Sequence, residues 1–126
     1  MKFAYVDASC LVAIALGETG WNTLSRRIAS FDVIACHGLA RAELWSACAR
    51  EKLVAPDDLL DGFVEVVPPH GLAHEIARVL EAGYVRGADC WHLATALFLA
   101  PTPSDIVFLT LDERQRTVAK ALGFKA

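Results

Sequence analysis

The sequence has few of the features that mark secreted or membrane proteins. Its 126 residues include only four cysteines, and no two of them form a C-x-x-C pair. A chain of this length with a rich apolar core needs no disulfide, so we expect reduced thiols and a cytoplasmic protein. Asp7 interrupts the apolar amino-terminal run, which fits a signal peptide poorly. No uncharged apolar stretch approaches the roughly 20 residues that span a bilayer, so we expect no membrane association.

The chain also lacks an excess of basic residues. It carries 15 acidic and 12 basic side chains, for a net charge of −3. This balance excludes a basic tail or sheath that coats nucleic acid, although it leaves room for a local basic rim. No internal repeat and no long linker is visible, and the length fits one domain, which we expect to span residues 1–126.

Short apolar runs alternate with segments of helical periodicity along the chain. The strands are predicted at 3–6, 33–36, 65–67 and 106–110. The helices are predicted at 10–16 with Ser9 as N-cap, and at 21–29, 39–53, 56–63, 71–82, 89–99 and 112–122. Strands separated by helices pair in parallel, and strands that are apolar throughout are covered on both faces. We therefore predict a single α/β domain whose central parallel sheet of four or five short strands is flanked by helices on both faces.

Two aspartates follow directly on predicted strands. Asp7 comes after FAYV, and Asp112 comes after IVFLTL. Ligands of open parallel sheets bind beyond the carboxyl ends of the strands, so these two side chains should share one rim. A helix N-cap is the ordinary explanation for either aspartate alone.

Two further acids interrupt apolar helices. Glu43 lies in LARAELWSACA, and Asp89 lies in RGADCWHLATALFLA. Burial of a lone carboxylate is costly unless a cation or hydrogen bonds compensate it. An ion pair with Arg41 or Arg50 could satisfy Glu43, and the first turn of a helix could stabilise Asp89. Together with the two strand-end aspartates, however, these acids are better explained by one pocket for a hard divalent cation such as Mg²⁺ or Mn²⁺.

The segments around these acids resemble a known family. Four of them, in this order, are similar to motifs of the PIN-domain ribonucleases, and especially of the VapC toxins of prokaryotic toxin–antitoxin pairs. The segments are YVDASCLVAIALGE, LARAELWSA, RGADCWHLATAL and FLTLDERQRTVAKALGF. The resemblance covers nearly the whole chain and implies that Asp7, Glu43, Asp89 and Asp112 bind the metal and act in catalysis. Without these four acids the chain is close to neutral, so its acidity would be concentrated in one cleft.

The resemblance also implies supporting residues and a reaction. Ser9 and Thr110 match small hydroxyl positions that support the acids, and His92 could donate a hydrogen bond in the pocket or lie at the core edge. Some relatives carry a further acid at the position of Leu93, where it would help to bind a second metal ion. The number of bound ions, one or two, therefore stays open. The implied reaction is hydrolysis of an RNA phosphodiester by a metal-activated water, leaving a 5′-phosphate and a 3′-hydroxyl.

Four arginines flank the acid motifs and are candidates for positioning RNA phosphates. They are Arg41, Arg86, Arg114 and Arg116. Ion pairing on the protein surface is the ordinary alternative for each of them.

A group of apolar residues could either complete the core or leave an exposed groove. The group comprises Trp21, Trp45, Trp91, Leu11, Ile14 and Leu24. In the resembled toxins such a groove receives a segment of the cognate antitoxin. The resemblance therefore implies a VapB-like antitoxin as a partner, and also a homodimer.

Other functions remain open at this level. A PIN fold could serve a housekeeping RNA-processing nuclease or a catalytically silent binding module. A phospho-receiver domain is also a small α/β domain, but it needs a phosphoacceptor aspartate after a middle strand and a lysine at the end of a late strand. Here prolines follow the middle strand EVV, and no lysine directly follows the last strand. The receiver interpretation is therefore the weaker one.

Overall fold

The computed structural model describes every residue from Met1 to Ala126. Its strands are β1 (Phe3–Val6), β2 (Val33–His37), β3 (Val64–Val66) and β4 (Val107–Leu109). They form one sheet in the order β3-β2-β1-β4, and every neighbouring pair is parallel. The predicted α/β fold with a parallel sheet is confirmed, with four strands.

Six helices connect and cover these strands. They are α1 (Ala8–Ala15), α2 (Trp21–Ala29), α3 (Leu39–Arg50), α4 (Ala73–Ala82), α5 (Gly87–Leu99) and α6 (Glu113–Leu122). A short 3₁₀ turn at Pro103–Asp105 precedes β4. None of the helices is both long and apolar enough to cross a bilayer.

The core is divided by the sheet into two apolar layers. Because successive strand residues point to opposite faces, Tyr5 packs with α4, α5 and α6, whereas Ala4 and Val6 pack with α1, α2 and α3. Both faces of the sheet are thus covered, as the apolar strands predict.

Helices α4 and α5 begin at Ala73 and Gly87 rather than at residues 71 and 89, and three larger features of the predicted helices are wrong. The segment 56–63 forms turns rather than a helix, because Asp61 and Phe63 bond to carbonyls three residues back and Gly62 has a φ of +82°. Helix α3 ends at Arg50 instead of residue 53, since Lys52 adopts a left-handed φ of +56° and closes a Schellman motif. The N-cap of α1 is Asp7 rather than Ser9.

All four cysteines are buried free thiols. Burial raises the pKa of both Cys10 and Cys36 to about 12, so these side chains stay protonated and unreactive at neutral pH. Cys10 and Cys90 adjoin site acids in sequence, but they serve as small core residues.

Gly83 permits a close approach between the end of α4 and α6. A Cβ at this position would lie 2.9 Å from the Val118 side chain, which is too near for any real contact. We expect Gly83→Ala to lower the free energy of unfolding by about 1–3 kcal/mol, because Val118 must shift within a packed layer. Urea unfolding would measure this loss. Gly71→Ala is the matched control, since a Cβ there meets nothing within 4 Å; equal stability of the two variants would contradict the packing argument.

Candidate active site

The carboxyl ends of the neighbouring strands β1 and β4 bring Asp7 and Asp112 to one rim of the sheet. β1 and β4 are in register at Val6 and Leu109, and the Asp7 amide donates to the Leu109 carbonyl at 2.9 Å. Both aspartates are also N-caps: Asp7 Oδ2 accepts from the Ser9 amide at 3.1 Å, and Asp112 Oδ1 accepts from the Gln115 amide at 2.8 Å. The two aspartates therefore cap helices and also lie at one rim of the sheet, so both predictions are confirmed.

The four predicted acids line one open cavity of about 450 Å³. Asp7 and Asp112 enter it from the sheet rim, Glu43 from α3 and Asp89 from the first turn of α5. Glu18 and Arg50 also line this cavity, and neither was predicted as a site residue. Asp7, Glu43, Asp89 and Asp112 are thus neighbours in space as well as candidates in sequence.

Asp89 is the acid with the least compensation from the chain. Its carboxylate is half-buried and receives no hydrogen bond and no ion pair within the salt-bridge distance of 4.0 Å. Burial raises its pKa, and the negative charges of Asp7 and Asp112 raise it further, against a smaller opposing effect of His92. The cavity therefore holds a carboxylate that the protein itself does not neutralise.

The buried side chain of His92 forms a hydrogen bond with Glu43. It is fully buried, with Nε2 at 2.6 Å from Glu43 Oε1 and 3.8 Å from Asp7 Oδ1, and with Nδ1 at 2.8 Å from the Tyr5 hydroxyl. Burial lowers the His92 pKa, but the hydrogen bond to Glu43 and the charge of Asp7 outweigh it, so the net pKa is raised. The imidazole of His92 therefore connects Glu43 to the Tyr5 hydroxyl.

Neither arginine proposed as a partner of Glu43 pairs with it. Arg41 forms a two-pronged ion pair with Glu65 at 2.9 Å, and Arg50 pairs with Glu51 at 3.3 Å. The ion-pair explanation for Glu43 is therefore wrong, because α3 turns both guanidinium groups to other partners. Asp89, in contrast, does lie in the first turn of its helix, as its ordinary explanation requires.

Ser9 and Thr110 lie beside the aspartates as predicted. Their hydroxyl groups are 3.3 Å apart, and the Ser9 hydroxyl accepts from the Leu111 amide at 3.0 Å. Thr110 Oγ1 accepts from the Asp112 amide at 3.1 Å and lies 3.4 Å from Asp7 Oδ2. The two hydroxyls thereby connect the loop after β4 to the start of α1.

Gln115 is a buried member of this network that our sequence reasoning missed. Its Oε1 accepts from the Thr110 hydroxyl at 2.6 Å, while its Nε2 lies 3.4 Å from Asp7 Oδ1 and 3.3 Å from the Asp89 carbonyl. A glutamine three residues after an aspartate N-cap is a capping-box pattern, and this spacing in DERQ was the available signal. Gln115 holds three of the site's segments together.

The acids share a cavity but do not form a closed coordination shell. No group of three or more histidine, cysteine, aspartate or glutamate side chains is arranged to hold a metal ion directly. Because Mg²⁺ keeps several of its waters, the open spacing suits an ion held partly through water.

The family model for the PIN domain matches residues 4–121. The chain belongs to the PIN domain family. No curated protein and no solved structure matches the sequence. Membership indicates a nuclease-type function and removes the phospho-receiver alternative.

The PIN domain brings only two of the four predicted arginines to the acids. Arg86 and Arg114 line a second cavity of about 330 Å³ together with Asp89 and Asp112. Arg41 is held by Glu65. Arg116 pairs with Glu113 and donates to the Thr110 carbonyl at 2.6 Å, so it supports the loop rather than lining either cavity.

The apolar group does not form one groove in this PIN domain. Leu11 and Ile14 line a small cavity of about 180 Å³ between α1 and α2, whereas Trp91 lines a separate cavity beside α4. Trp21 and Trp45 are partly exposed at other positions. These residues therefore neither form a single groove nor all lie in the core.

Proposed function

We propose that this PIN domain is a Mg²⁺- or Mn²⁺-dependent endoribonuclease that acts as the toxin of a VapBC-type pair. The observation that carries the proposal is the uncompensated Asp89 carboxylate in a cavity lined by three further acids. Burying such a group is costly unless a cation balances it. The resemblance of the four motif segments to VapC toxins supports the finer assignment.

The donor set fits a hard divalent cation. Asp7, Asp89 and Asp112 would hold it, with Glu43 binding directly or through water, and all of these ligands are carboxylate oxygens. When bound, the ion lowers the pKa of a water molecule and neutralises charge on the phosphate oxygens.

The chain's own residues position this chemistry. His92 holds Glu43 through Oε1 and leaves Oε2 without a protein donor, so Oε2 is the atom placed to orient a water molecule or accept its proton. Tyr5 fixes the imidazole from the other side and remains neutral, since burial raises its pKa well above the usual value. Ser9, Thr110 and Gln115 restrain the Asp7 carboxylate.

We further propose that the protein is a cytoplasmic homodimer that cleaves RNA and is silenced by a VapB-like antitoxin. The motif resemblance supports these points, and the four free buried thiols fit a reducing compartment.

Induced expression tests the toxin role directly. We expect growth arrest, relief of the arrest by a small antitoxin encoded in the adjacent reading frame, and new cellular RNA ends that carry 5′-phosphate and 3′-hydroxyl groups. RNA cleavage without growth arrest would favour a housekeeping processing nuclease. Absence of cleavage by the purified chain with either metal would favour a silent binding module and sink the nuclease proposal.

Metal binding should raise the melting temperature. At a free Mn²⁺ concentration of 100 times its dissociation constant, a single site stabilises the fold by about 2.7 kcal/mol. Calorimetry across millimolar MnCl₂ and MgCl₂ would measure the change, with CaCl₂ and KCl as comparisons. A melting temperature that stays constant across the series would contradict the metal site, whatever the activity of the chain.

A further inference from the structure

An exposed aromatic ring stands beside the basic part of the site. Tyr84 lies between α4 and α5 with 68% of its surface exposed, and the Arg114 guanidinium lies over its ring at 5.8 Å from the centroid. Gly83 sets this position, because only a residue without a Cβ can pass so close to Val118 of α6. The fold thus holds Tyr84 against the helix that carries Arg114.

The second cavity, which contains the two arginines, adjoins the acidic one. Asp89 and Asp112 line both cavities, and Arg86 and Arg114 complete the second one. Neither Arg86 nor Arg114 forms an ion pair with any carboxylate of the chain. These two guanidinium groups lie next to the candidate metal ligands, where the cleaved phosphodiester of an RNA would bind. They are complementary to the neighbouring phosphate of the same RNA strand.

We propose that Tyr84, Arg86 and Arg114, here termed the Tyr84 platform, bind one nucleotide of single-stranded RNA next to the cleaved bond. An unpaired base stacks on the face of the Tyr84 ring that Arg114 does not cover, and the two arginines hold its phosphate. This inference rests on the proposed nuclease function. The RNA must be single-stranded, because a base inside a duplex cannot present its face to an aromatic side chain.

The charge pattern favours RNA over a protein as the occupant. Tyr84 also borders an apolar cavity of about 410 Å³ that includes Leu80 and Trp91, and such a surface could in principle meet another protein. The Arg114 guanidinium over the ring and the adjoining Arg86, however, place two unpaired positive charges at one edge. Stacking combined with a basic groove is the usual arrangement for single-stranded nucleic acid.

Fluorescence anisotropy with a labelled 12-nucleotide single-stranded RNA tests the platform. The measurements use EDTA at low ionic strength, so that binding is separated from cleavage. We expect Tyr84→Ala to weaken binding about 5- to 100-fold, whereas Tyr84→Phe retains the affinity because it keeps the ring. Arg114→Gln should weaken binding and reduce the slope of log K against log salt by about 0.7 for the lost phosphate contact.

Matched controls separate the platform from general effects. Trp21→Ala removes another partly exposed aromatic, on α2, and Arg26→Gln removes another exposed arginine; both should bind the RNA like the wild type. Because Tyr84 is exposed, Tyr84→Ala should melt within about 2 °C of the wild type, given a stability change under ~0.5 kcal/mol.

The outcomes distinguish this inference from the nuclease proposal. Wild-type affinity in Tyr84→Ala, or an equal loss with a duplex of the same sequence, overturns the platform even if the chain cleaves RNA. A changed sedimentation coefficient of Tyr84→Ala with unchanged RNA affinity also overturns it, in favour of a protein interface. Binding that depends on Tyr84 in a chain that cleaves no RNA retains the platform and overturns the nuclease proposal.

Discussion

Asp89→Asn is expected to reduce RNA cleavage at least about 100-fold while leaving the fold intact. Loss of an outer-shell partner of a metal ligand typically costs 10- to 100-fold, and Asp89 is proposed to contact the ion itself. The same variant should melt at a slightly higher temperature than the wild type in EDTA, because asparagine removes a charge that Asp7 and Asp112 repel. It should also lose the stabilisation by Mn²⁺.

These opposite effects make the variant diagnostic. A purely structural aspartate would lose stability and activity together, whereas a metal ligand loses activity and gains stability without metal. Asp57→Asn is the control, since Asp57 is exposed and lines neither the acidic nor the basic cavity. Cleavage by Asp89→Asn at the wild-type rate would show that the acidic cavity is not the active site. Growth arrest that persists in this variant would separate toxicity from RNA cleavage.

His92→Leu is expected to lower the free energy of unfolding by about 2–4 kcal/mol. Leucine has a similar volume, but it leaves the buried Tyr5 hydroxyl without its partner and removes the donor that holds Glu43. The variant should also lose activity beyond its loss of stability, because Glu43 is then free to leave its position. Urea unfolding and cleavage at a temperature where all variants are folded would separate the two effects.

Two further variants sharpen this prediction. His74→Leu replaces an exposed histidine of α4 and should change stability by less than about 0.5 kcal/mol. His92→Gln keeps both a donor and an acceptor, so it should lose less than His92→Leu. If His92→Leu were as stable as the wild type, water or another group would have to form the hydrogen bond with the Tyr5 hydroxyl. The hydrogen bonds of His92 to Tyr5 and Glu43 would then not contribute to stability.

The chain's local patterns predicted most of the framework. Apolar runs separated by helical periods implied parallel strands, and parallel strands place Asp7 and Asp112 at one rim whatever the details of packing. The wrong helix predictions lie where the backbone angle φ of a single residue decides whether the helix continues. Lys52 ends α3 with a positive φ that its residue type does not announce, and the turn closed by Gly62 replaces the predicted helix at 56–63.

The partners of the polar side chains were harder to predict. Sequence neighbours suggested Arg41 or Arg50 for Glu43, yet the partner is His92, which lies 49 positions away. Which face a helix presents depends on its rotation against the sheet, and that rotation is set by the packing of the apolar layers. Arg41 therefore contacts Glu65 on β3, and Gln115 reaches both Asp7 and Asp89, which are distant from it in sequence.

The fold class, the family resemblance and the choice of four candidate acids all follow from periodicity, residue type and order along the chain. The partners of those acids follow from the tertiary structure instead. It gave Glu43 a buried histidine, left Asp89 without any partner and placed Tyr84 beside two free arginines. These are contacts between elements distant in sequence, and their geometry arises only when both apolar layers close on the sheet.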